Sequence, residues 1–158
     1  IPKHPRCGEC PLASYCQAKQ AGTEMQLPLR ITKKHIPTEQ IAVCVLSQQQ
    51  RWLIHRRPAK GLLASMWEFP NVVGSGETGR TALQQLLASV GLRVDIDPAP
   101  TGTIKHVFSH KIWQMTLYKG RLTDGTLQTK EDWQWLPKQA YTSVPWAGPH
   151  GKITAMAE

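Results

Sequence analysis

The sequence predicts an α+β domain, a mixed and mostly antiparallel sheet carrying one strong helix, with a cysteine-rich segment and a connector ahead of it. Three observations predict it. Residues 41–46, Ile-Ala-Val-Cys-Val-Leu, form an apolar, β-branched run that a polar turn at 47–51 joins to a second such run at 52–57. Leu83, Leu86, Leu87 and Val90 recur at i, i+3, i+4 and i+7, which puts one apolar stripe on a helix over 80–91. After the helix, residues 103–108 and 112–118 read as strands meeting at the polar bend Ser109-His110-Lys111.

From the N-terminus, residues 1–6 carry Lys3, His4 and Arg6 between Pro2 and Pro5, and the prolines hold them extended or turned. Residues 7–19 form a cysteine loop with a short helical tail. Residues 20–39 contain Gly22, Pro28 and Pro37, keep no periodicity, and read as a connector bearing Lys33 and Lys34. The folded domain is expected over 40–158. Cys44 lies inside the first strand and reads as a small buried hydrophobe. Met66-Trp67-Glu68-Phe69-Pro70 is a third short strand in which Trp67 and Phe69 are core residues. Gly91 stops the helix, 92–96 is a strand, and 132–136 is the last strand, with Trp133 and Trp135 on one packed face. The tail at 144–157 is interrupted by Pro and Gly before a terminal helix.

Of the 158 residues 41% are hydrophobic and 19% charged, which excludes a disordered chain. No apolar run approaches the ~20 residues that cross a bilayer, so no membrane partner is expected. The net charge of +8 is uneven: residues 1–60 hold ten Lys and Arg against three Asp and Glu, and the rest hold nine against eight. The basic excess therefore sits on the cysteine segment and the connector and first strands after it. A polyanion such as nucleic acid is one natural partner for such a stretch, and water is the other.

Three of the four cysteines, Cys7, Cys10 and Cys16, fall within ten residues at spacings of two and five. Short loops of this kind return each sulfur to one point, as a metal centre requires, but zinc sites and iron–sulfur clusters take four ligands. His4 completing a zinc ribbon is one solution, and a ligand outside the sequence is the other. Residues 1–6 carry no apolar signal segment, so the thiols suggest an intracellular metal site rather than a secreted disulfide framework.

Two resemblances narrow these readings. The segment 61–70 followed by a helix ending Val90-Gly91-Leu92 resembles the layout of the Nudix (MutT-like) hydrolase fold. That family's signature helix carries Arg-Glu-x-x-Glu-Glu, whose carboxylates hold magnesium against a pyrophosphate. The corresponding positions here are Gln84, Gln85, Ala88 and Ser89, so the resemblance implies the fold without the hydrolase chemistry. The cysteine run is similar to Cys-x6-Cys-x2-Cys-x5-Cys of endonuclease III-class glycosylases, which surrounds a [4Fe-4S] cluster. Cys7, Cys10 and Cys16 match its last three ligands, and the first is expected just before Ile1.

Cluster motif, connector and carboxylate-free Nudix-like domain together resemble the C-terminal part of the MutY-type adenine DNA glycosylases, which remove adenine paired with 8-oxoguanine. The Trp67-Glu68-Phe69-Pro70 and His106-x-Phe108-Ser109-His110 segments are similar to that family as well. The resemblance implies lesion recognition by Phe108, Ser109 and His110, and phosphate contacts from Lys3, His4 and Arg6. Lys33, Lys34, Arg56, Arg57 and Lys111 are further candidates for phosphate contact, with plain solvation as the alternative for each. The resemblance also implies a [4Fe-4S] cluster, duplex DNA containing 8-oxoguanine opposite adenine, a catalytic N-terminal domain of the same protein as partner, and a bacterial cytoplasmic location. The competing expectations are an active nucleotide pyrophosphatase and a non-enzymatic zinc-ribbon nucleic-acid binder. Without its catalytic partner the chain is expected to have no glycosylase activity.

Overall fold

A computed structural model describes residues 4–28, 35–128 and 131–156. The chain divides into two compact units, residues 1–35 and 36–158.

In the first unit, tight turns carry the cysteines. The Ala13 amide donates to the Cys10 carbonyl and the Tyr15 amide to the Leu12 carbonyl. A single helical turn, α1 (Gln17–Gln20), comes next. A 3₁₀ turn at Glu24–Gln26 lies in the stretch read as connector.

The second unit is built on one seven-stranded sheet. Its central strand is β1 (Thr38–Gln48), which pairs in parallel with β6 (Ile112–Gly125) from Thr38↔Ile112 to Leu46↔Gly120. The strand starts three residues before the expected Ile41. Thr38 and Glu39 carry no apolar signal, and their extension comes from the pairing with β6. On its other edge β1 meets β4 (Asn71–Val73) over Ile41–Val43 and β2 (Arg51–Arg56) at the hairpin turn. Short β3 (Trp67–Glu68) and β7 (Trp133–Pro137) pair antiparallel with β2.

Alternation along β1 explains its unbroken apolar run, because both faces are covered. Ala42, Cys44 and Leu46 pack with the helix α2 (Gly76–Ala88) through Leu83 and Leu87. Ile41 and Val43 enter a second core with Trp52, Phe69, Trp113, Met115 and Ile153. Leu83 and Leu87 are fully buried, each contributing about 1.5–3 kcal/mol. Cys44 is fully buried too, and burial pushes its thiol up to about 12, so it is a hydrophobe at neutral pH. Phe69 and Trp133 are core residues as expected, and Trp67 and Trp135 pack against the two cores.

Two further elements differ from expectation. Helix α2 begins at Gly76 rather than near residue 80. A Cβ on Gly79 would stand 2.8 Å from Ala42 Cβ, so the first turns approach β1 more closely than any side chain permits. The two strands expected at 92–96 and 103–108 are one long strand, β5 (Leu92–Val107), whose register shifts between Ile96, Pro100 and Gly102. Bulges there accommodate Pro98 and Pro100 within the strand. The β1–β2 turn places Gln49 and Gln50 at φ of 48° and 59°, the left-handed pair that a two-residue hairpin requires, without the usual glycine.

Candidate nucleic-acid interface

The β5–β6 hairpin presents the segment singled out by sequence. Val107 pairs with Ile112, and the Phe108 amide donates to the Lys111 carbonyl at 2.8 Å, so residues 108–111 make a compact bend. Phe108 is half-buried and leans on the second core. Its ring meets Trp113 edge-on at 5.0 Å and His106 at 4.5 Å, with His110 at 6.4 Å. Ser109 and His110 are exposed, and Ser109 Oγ lies 3.4 Å from His110 Nδ1. Burial, and then the charge of Lys152, push the His106 imidazole below its ordinary value, which favours a neutral ring against Phe108. The structure therefore gathers Phe108, Ser109 and His110 into one tip: an aromatic base anchored to the core, and two polar groups facing solvent.

The underside of the tip carries charge that the sequence does not reveal. Glu39 on β1 accepts from Lys111 Nζ at 2.8 Å and from Trp113 Nε1 at 2.9 Å. Arg57 lies over the Trp113 ring at 5.5 Å and donates to Glu68 Oε2 at 2.6 Å. Glu68 is buried and also receives His55 Nδ1 at 3.3 Å, while His150 Nε2 stands 3.6 Å away. Lys111 and Arg57 are thus each paired with a carboxylate. Arg56 is exposed and donates to the Ser65 carbonyl. Glu39 and Glu68 stand 72 and 11 residues from their basic partners Lys111 and Arg57. A local pattern signals neither, and only the strand pairing brings Glu39 to Lys111.

In the first unit, His4 and Arg6 are at least partly exposed, and Arg6 forms a loose 3.7 Å ion pair with Glu9, a contact of negligible strength at the surface. Lys3, Lys33 and Lys34 lie outside the described residues. Cys7, Cys10 and Cys16 carry free thiols at least partly open to solvent. The donor type suits a thiolate-bound metal centre. The donors fall short in number and gathering: among the described residues no three His, Cys, Asp or Glu side chains converge on a point that could hold a metal ion.

On α2, the positions that would carry magnesium-binding carboxylates hold Gln85, Ala88 and Ser89, and the helix's one acid is Glu77 in its first turn. Gln84 donates instead to the Val94 carbonyl, and the Ser89 hydroxyl to the Leu86 carbonyl. None of these side chains can bind a hard divalent ion as a carboxylate does.

The sheet, its helix and the order of the strands are those of a Nudix fold, and the chain belongs to the NUDIX domain family, whose model matches residues 42–156. A second model, the iron–sulfur binding domain of endonuclease III, matches residues 1–16. Adenine DNA glycosylase of Arabidopsis thaliana is 29% identical over 151 residues, covering 77% of this chain and 24% of the relative. The human adenine DNA glycosylase is 27% identical, covering 69% of this chain and 29% of the relative. The chain therefore spans roughly a quarter of the length of these relatives. Among solved structures, the C-terminal domain of mouse MUTYH, determined in complex with human PCNA, superposes with a TM-score of 0.56 at 22% identity over 75% of this chain and 86% of that one.

Among the described residues no helix is long and apolar enough to cross a membrane.

Proposed function

We propose that this chain is the lesion-recognition part of an adenine DNA glycosylase, reading 8-oxoguanine opposite the adenine to be excised. The observation that carries the proposal is the β5–β6 tip, where Phe108 is braced by Trp113 and His106 while Ser109 and His110 face outward. Guanine offers N7 as an acceptor. Oxidation at C8 converts N7 into an N–H donor and adds a carbonyl oxygen. The Ser109 hydroxyl both donates and accepts, so it can pair with either new group. His110 adds a second polar contact beside it. Phe108 supplies a rigid apolar shoulder against the base or its neighbour.

Excision belongs to a separate catalytic part, which flips the adenine out of the stack at a cost of a few kcal/mol. The spacing of Cys7, Cys10 and Cys16 supports their service as three thiolate ligands of a [4Fe-4S] cluster once a fourth donor is supplied. Duplex DNA containing the 8-oxoguanine:adenine pair is the partner, held weakly by this part alone and with strong dependence on salt.

Combined Phe108→Ala and Ser109→Ala substitution tests the reading by fluorescence anisotropy at low salt. The unsubstituted chain should bind an 8-oxoguanine:adenine duplex more tightly than a guanine:adenine duplex. The double variant should lose most of that preference, about tenfold for a lost hydrogen bond plus a lost aromatic contact, and change less on the undamaged duplex. Equal loss on both duplexes would make the hairpin merely structural.

A further inference from the structure

Glu39 is the group under the tip that neither its sequence context nor its residue type explains. Taking the proposed lesion reading as its basis, we propose that Glu39 is a positioning residue for lesion recognition, holding the exit of the 108–111 bend at a fixed height above the sheet.

Glu39 and Trp113 are direct partners in the parallel β1–β6 pairing. Lys111 and Trp113 lie two residues apart on β6 or its lead-in, so their side chains project to the same face. One carboxylate oxygen takes each: Oε1 the Lys111 ammonium, Oε2 the Trp113 indole N–H. The carboxylate therefore spans the two residues through which the bend re-enters the sheet. The backbone repeats the tie, since the Ile112 amide donates to the Pro37 carbonyl at 2.8 Å. The hydrogen bond from Lys111, set against some burial, keeps the Glu39 carboxyl below its ordinary range, so it is ionised at neutral pH.

Trp113 transmits the tie. It is buried, and Phe108 rests edge-on against it. Any rotation of the indole moves the surface on which Phe108 sits. Arg57 covers one face of the ring, and His106 stands opposite it in the β5–β6 pairing. Glu39 completes this enclosure from the β1 side. A bend pre-organised in this way loses little conformational freedom on binding, which is where a reader of one added oxygen and one added N–H gains selectivity. Glu39 also occupies Lys111, whose charge would otherwise favour any duplex equally.

The test compares affinities of the 158-residue chain for 8-oxoguanine:adenine and guanine:adenine duplexes. Glu39→Ala should lower the ratio of the two about five- to tenfold. Glu39→Gln keeps an acceptor for Trp113 and should recover part of the loss. Lys111→Met, which leaves the Glu39–Trp113 bond in place, serves as a second, milder probe if Glu39→Ala folds poorly, and it should lower the ratio less. An unchanged ratio in folded Glu39→Ala, or in Lys111→Met where Glu39→Ala does not fold, while the Phe108→Ala, Ser109→Ala pair still lowers it, overturns the positioning role and leaves the lesion reading standing. A ratio near one for the unsubstituted chain overturns the lesion reading and this role with it.

Discussion

Glu68→Ala is expected to cost the second unit about 3–5 kcal/mol, the penalty for stripping a buried ion pair of one partner. Glu68 is 4% exposed and, among the described residues, is the only carboxylate within reach of Arg57, His55 and His150. Arg57 is itself largely covered, so its guanidinium would remain with no counter-charge in a poorly hydrated site. The effect reaches the interface, because the same guanidinium lies over Trp113, on which Phe108 rests. Glu68→Gln keeps the shape and one acceptor and should cost less. Urea unfolding monitored by tryptophan fluorescence measures both variants. A loss below about 1 kcal/mol for the alanine variant would mean that Glu68 is no hub.

Acid should destabilise the fold well before the carboxylates as a class titrate. His150 is fully buried, its Nδ1 accepts the Phe69 amide, and its Nε2 finds no hydrogen-bond partner. Burial pushes its pKa from 6.5 to about 4, the Glu68 charge opposing that shift and the Arg57 charge adding to it. Between about pH 6.5 and 4 the unfolded chain binds a proton at His150 that the folded chain refuses. Stability is therefore full above about pH 6.5 and falls as pH drops towards 4, by on the order of 3 kcal/mol.

Glu68 adds to the loss lower down. Burial raises its pKa, but the hydrogen bond from His55, the His150 charge and Arg57 outweigh burial and hold it below 4.5. Its contribution is present above the unfolded value and lost as pH falls through the folded one. Unfolding free energies measured from about pH 7 down to about pH 4 should thus slope steeply. His150→Asn, which keeps a side-chain acceptor for the Phe69 amide, should flatten the curve between about pH 6.5 and 5. An equally steep slope in that variant would assign the acid sensitivity elsewhere.

The elements legible in the sequence are those whose stabilising partners are local or whose burial is two-sided. The run 41–46 announces β1 because both of its faces are covered, and Leu83, Leu86, Leu87 and Val90 announce α2 because one face is. Gly76 and Gly79 hide the start of α2, since local propensity reads them as breakers. Close packing of the helix on Ala42 is what calls for glycine at 79. Pro98 and Pro100 hide the continuity of β5, and a bulged pairing with β6 absorbs their cost.

The candidate interface divides the same way. Phe108, Ser109 and His110 are contiguous, so a resemblance over five residues finds them. Glu39 and Trp113 become partners only through a parallel pairing across 74 residues, and no spacing along the chain encodes that. The ion pairs of Arg57 and Lys111 are not legible either, because a basic residue in sequence carries no mark of the carboxylate that will pair with it. The cysteines are legible by spacing alone, and spacing names candidate thiolate donors without gathering them at one point.

Whether the β5–β6 tip senses the oxidised base itself is answered most directly by an amide-resolved NMR titration. The 158-residue chain is titrated with two duplexes that differ only in guanine against 8-oxoguanine opposite adenine. The amides of Phe108, Ser109 and His110 should shift differently between the two duplexes, while exposed basic positions such as Arg56 respond alike to both. Identical shifts at the tip with the two duplexes, or lesion-dependent shifts centred on helix α2 instead, would contradict lesion reading by this hairpin.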